Sequence, residues 1–96
     1  MTQTQALTID LTPTEAITLS AYRTLQAEMD RRLERGLGAA PARVCDVAAA
    51  VYGEDYTVRD ICRISCARLQ LLAKGVIRRG FHKDEVVIAA ADRAAA

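Results

Sequence analysis

Cys62 and Cys66 stand four residues apart. With Cys45 and His82 they make four soft donors, the number a tetrahedral zinc site requires. The surrounding pattern argues for packing instead, because Cys62 and Cys45 fall on apolar helical faces, where a free thiol behaves as a small hydrophobe. No metal and no cofactor are therefore expected. Arg59 and Arg63 are also spaced by one helical turn, and a guanidinium offers guanine a two-pronged donor worth about 1–3 kcal/mol of discrimination. His82, the sole histidine, falls at a turn tip and reads as solvent- or phosphate-facing. No phosphate-cradling glycine loop, His-Glu-x-x-His or nucleophile–base pair is found, so an enzyme is not expected.

The charge distribution gives the arginines a setting. Residues 1–56 carry five basic and eight acidic groups, whereas residues 57–83 carry seven basic groups and one acidic group, and residues 84–96 one and three. The net charge of +1 thus hides a central cationic stretch of +6. Concentration of that kind is the footprint of a polyanion-binding face, although a solvated helix face produces it too. The four aromatics, Tyr22, Tyr52, Tyr56 and Phe81, are scattered. Stacking on single-stranded nucleic acid needs them clustered.

Length and composition fit one domain: 96 residues, 51% hydrophobic and 26% charged. No apolar run reaches the ~18–20 residues of a membrane span, and MTQTQALTID lacks the features of a secretory signal. An odd count of three cysteines without an export signal speaks for reduced thiols and a cytoplasmic protein.

The elements that must position these groups can be read in order. Residues 1–12 form an arm, with alternation at Leu7, Ile9 and Leu11 suggesting a short strand. Thr12-Pro13-Thr14-Glu15 starts a helix over 13–35, which Gly36 ends. Its apolar line is Ile17, Ala21, Leu25, Met29 and Leu33, with Leu19 and Tyr22 alongside. Such a helix is long for so small a domain, so Leu19, Tyr22, Leu25, Met29 and Leu33 are expected to meet a second copy of the chain. A short helix comes next at 42–52. A third helix runs over 57–74, its inner face Val58, Ile61, Cys62, Ser65, Leu69 and Leu72, its outer face Arg59, Arg63, Ala67, Gln70 and Lys74. Strands at 76–81 and 85–89 make a hairpin, and residues 90–96 a tail.

Two stretches carry a family resemblance. Val44-Cys45-Asp46-Val47-Ala48-Ala49-Ala50, and Leu69-Gln70-Leu71-Leu72-Ala73-Lys74-Gly75-Val76-Ile77-Arg78-Arg79, resemble the winged helix-turn-helix domains of bacterial and phage transcriptional regulators. The first matches the opening helix of the motif and the second the end of the recognition helix entering the wing. The resemblance covers residues 13–89 and implies a mainly α fold of three helices plus a β-hairpin wing. It also implies sequence-specific binding of double-stranded DNA, which the length of the first helix would make the work of a homodimer, and the lack of an apolar span leaves no membrane partner. The residues expected at the DNA are Tyr56 just before the third helix, Thr57, Arg59, Arg63 and Gln70 along it, and Arg78, Arg79 and Lys83 from the wing. The alternative is a small protein-interaction module, of the phage inhibitor or antirepressor type, that grips a partner protein with the same fold.

Overall fold

The structure is a computed structural model that describes residues 10–38, 42–80 and 86–88. Over these residues the chain is mainly helical: α1 (Pro13–Glu34), α2 (Val44–Tyr52), α3 (Val58–Ala73), then strands β1 (Ile77–Arg79) and β2 (Val86–Ile88). The expected strand at 6–11, the turn at Lys83 and the tail at 90–96 lie outside the described residues, except that Asp10 and Leu11 belong to no regular element.

Local chemistry explains each boundary. At the head of α1 the Thr12 hydroxyl accepts from the Glu15 amide at 3.2 Å, and the Glu15 carboxylate accepts from the Thr12 amide at 2.9 Å. Two of the helix's orphan donors are thereby satisfied. Thr57 and Asp60 repeat the arrangement at α3, with bonds of 3.3 and 3.0 Å. The second helix begins at Val44, two residues later than expected. Arg43 has no acceptor to offer there, and the cap is the Asp46 carboxylate receiving the Arg43 amide at 2.9 Å.

The exit of α3 sets the direction of the hairpin. Gly75 adopts φ +74°, a left-handed conformation that a side chain would strain. That lets the Val76 amide reach the Leu71 carbonyl at 3.1 Å and the Gly75 amide reach the Leu72 carbonyl at 3.1 Å, the bond pair of a Schellman cap. Val76 and Leu71 are both buried, so the cap is closed by an apolar contact and launches β1 from the core. Strand β1 pairs antiparallel with β2, Ile77 opposite Ile88 and Arg79 opposite Val86.

The three helices pack against one another in pairs, β1 touches α3, and β2 touches α1. Their shared core is Leu19, Ala21, Tyr22, Val47, Ala48, Ile64, Leu71, Val76 and Ile77. All the buried residues of α1 lie between Glu15 and Tyr22. Its remaining twelve positions, about 18 Å at 1.5 Å per residue, bury nothing completely.

Two sequence expectations are corrected by this packing. The inner face of α3 is rotated by one residue: Ile64, Ala67 and Leu71 are buried with Ile61 and Leu72 beside them, while Val58, Cys62 and Leu69 are exposed. Ala67, assigned to the outer face, is 2% exposed. The cause is Arg68, which occupies a core-side position, half-buried, with its guanidinium beside the Tyr22 hydroxyl. A long basic side chain can bury its stem in this way, and its charge conceals the register of the apolar stripe. On α1, Leu19 and Tyr22 belong to the chain's own core and have no surface to offer a second copy. Ile17, by contrast, is exposed.

Candidate nucleic-acid interface

A helix advances 100° per residue, so positions 59, 63 and 70 fall within about 40° of one another. Arg59, Arg63 and Gln70 are all exposed and thus form one line along α3. Turned about 60–120° from that line, the buried Ile64, Ala67 and Leu71 face inward on a helix that packs on α1 and α2. Arg63 has its Nη1 3.5 Å from Asp60 Oδ1, a long, solvent-facing contact of a kind that contributes about 0–1 kcal/mol. That leaves the guanidinium available to a stronger acceptor. Among the described residues no carboxylate pairs with Arg59, Arg78 or Arg79.

Thr57 and Tyr56 occupy the approach to α3. The Thr57 hydroxyl accepts the Asp60 amide, which leaves its own proton to donate outward. Tyr56 is half-buried against the core, and its amide donates to the Gly53 carbonyl at 3.2 Å, closing the turn between α2 and α3. Gly53 itself has φ +90°, a value only glycine adopts readily.

On the hairpin, Arg78 and Arg79 are both exposed. Adjacent strand residues project to opposite faces, so these two guanidinium groups diverge rather than extend a single patch. Lys83 lies outside the described residues.

Two members of the cationic stretch are diverted to structural work. Lys74 donates to the Glu15 carboxylate and to the Asp10 carbonyl oxygen. Arg68 lies against Tyr22, whose phenol burial pushes above its ordinary value of 10.0, with the Arg68 charge opposing. Neither diversion is visible in sequence, since each partner is remote along the chain. Of the site residues expected for DNA, α3 thus brings Arg59, Arg63 and Gln70 together, and β1 presents Arg78 and Arg79 beyond its end.

Among the described residues a groove of about 570 Å³ runs between α1 and α2, lined by Leu25, Met29, Ala49 and Ala50 and edged by Glu28, Asp46 and Glu54 together with Arg32. Three carboxylates against one guanidinium make it a poor seat for a polyanion. Among the described residues no group of three or more His, Cys, Asp or Glu side chains is arranged to hold a metal, and no helix is long and apolar enough to cross a membrane.

Comparison with protein families, with curated proteins and with solved structures finds no match for this chain.

Proposed function

We propose that this protein is a winged helix-turn-helix regulator that binds double-stranded DNA, with α3 as the recognition helix and β1–β2 as the wing. The observation that carries the reading is the exposed line of Arg59, Arg63 and Gln70 on a helix braced by two others. A helix presented in this manner fits the major groove, where arginine and glutamine forks suit guanine and adenine edges. Thr57 and Tyr56 at its start, and on the hairpin Lys83 with whichever of the diverging Arg78 and Arg79 faces the duplex, then serve phosphates and hold the register. The role is one of binding and not of catalysis. A homodimer formed through the outer half of α1, at Leu25, Met29 and Leu33, doubles the contacts and sets half-site spacing.

A second reading has its own support. Val58 is 75% exposed and Leu69 57%, large apolar groups on the same helix as the arginines. A protein partner would cover them, as a small interaction module requires.

Duplex binding measured against salt separates the two. Several phosphate contacts give a steep fall of log affinity with log salt, and Arg59→Glu with Arg63→Glu removes most of the binding. Flat, weak binding that ignores the charge reversal overturns the DNA reading in favour of a protein partner.

A further inference from the structure

α3 opens on a tandem repeat, Arg59-Asp60-Ile61-Cys62 and Arg63-Ile64-Ser65-Cys66. A period of four returns each residue type to the same face one turn later. Cys62 and Cys66 are therefore neighbours, and both are exposed free thiols, unlike the half-buried Cys45. Arg59 and Arg63, also exposed, each precede one of them by three residues.

Geometry separates three chemistries for such a pair. A disulfide needs Cβ atoms about 3.8 Å apart. Residues four apart on a helix hold theirs at about 5–6 Å, with both bonds tilted the same way, so closure requires distorting the helix. Structural zinc takes four ligands, and no third candidate ligand joins the pair among the described residues. A single soft atom bonded to both sulfurs fits better. Metal–sulfur bonds of roughly 2.3 Å, the zinc–thiolate length, place two sulfurs within about 4.6 Å of each other. Side chains with Cβ atoms one turn apart reach that by leaning together.

We propose that Cys62 and Cys66 form a two-coordinate site for a soft monovalent cation, copper(I). Both thiols lose their protons to solvent and each sulfur forms one bond to the metal. Two thiols and one Cu⁺ thus become a bis-thiolate complex of charge −1 and two released protons, with no change of oxidation state. Thiolates favour copper(I) over hard oxygen-seeking ions. The negative complex lies one helical turn from Arg59 and Arg63, and the Asp60 carboxylate on the same helix is already engaged in capping it.

The test is an anaerobic titration of the full chain with copper(I) against a chromogenic copper(I) chelator. One ion per chain is withheld from the chelator. Cys62→Ser and Cys66→Ser each weaken retention at least tenfold, and Cys45→Ser leaves it unchanged. Both Ser variants sit at exposed positions and keep the native helical circular dichroism. Failure of the native chain to withhold copper, retention that survives Cys62→Ser, or saturation at one ion per two chains by metal analysis overturns the site. These readouts do not involve DNA, so they succeed or fail apart from the duplex reading.

Discussion

Lys74 Nζ joins the end of α3 to the beginning of α1, donating to Glu15 Oε1 and, at 2.8 Å, to the Asp10 carbonyl oxygen. Glu15 is 1% exposed and is also half of the α1 capping box, so a single carboxylate serves two structural tasks. The hydrogen bond from Lys74, together with the bond from the Thr12 amide, holds its carboxyl below the ordinary value of 4.5. A depressed folded-state value means that the ionised group stabilises the fold above its unfolded value, and that this contribution disappears as pH falls through the folded one. Urea unfolding measured from neutral pH downward should therefore show a loss of stability that extends below 4.5. Glu15→Gln lowers stability at neutral pH and removes this part of the acid dependence. Lys74→Met also lowers neutral-pH stability. An unchanged acid limb in Glu15→Gln would show that the pair does not contribute as described.

The face of α3 gives a sharper comparison. Ile64 is fully buried and Leu69 is 57% exposed, although alternation of residue type along the helix suggests that Leu69 belongs inside. Truncating a buried Ile to Ala costs about 2–5 kcal/mol through lost burial and the cavity left behind. Ile64→Ala should fall in that range by chemical denaturation, while Leu69→Ala stays within about 0.5 kcal/mol of the native chain. The reverse order would restore the register expected from sequence.

A feature is legible in the sequence when its signal is local. The capping boxes at Thr12 and Thr57, the glycine that ends α3 and the hairpin after it are written in residues close together along the chain, and all appear in the structure. The spacing of Arg59 and Arg63 is legible for the same reason. The face of α3 is not, because Arg68 takes a core-side place against Tyr22, 46 positions away in sequence. Lys74 likewise reads as one more cation of the basic stretch, since its partner Glu15 is 59 residues distant. Tertiary pairing decides both.

Tyr22 offers a test of that pairing. Its ring is 3% exposed, and its hydroxyl has no hydrogen-bond partner among the described residues. An unsatisfied buried polar atom costs about 1–3 kcal/mol, and deleting it recovers part of that cost. Tyr22→Phe should leave the melting temperature unchanged or raise it. A clear drop would mean that the hydroxyl makes a favourable bond, with Arg68 as the candidate donor, and the double variant with Arg68→Met would then show coupling between the two.

The outer half of α1 carries the expectation of a dimer. Leu25 and Met29 are only partly covered and Leu33 is 56% exposed, while Leu19 and Tyr22 lie inside the chain's own core. Small domains gain stability by burying such a stripe against a second copy. Met29→Glu with Leu33→Glu places two charges on that stripe without touching any fully buried residue. Sedimentation should show the native chain as a dimer and the variant as a monomer, each with the same helical circular dichroism. Because the two halves of a dimer hold one operator together, the monomeric variant should bind a two-half-site duplex about a hundredfold more weakly, yet match the native chain on a single half-site. A native chain that sediments as a monomer at every concentration removes the dimer from the proposal and leaves α3 to act alone.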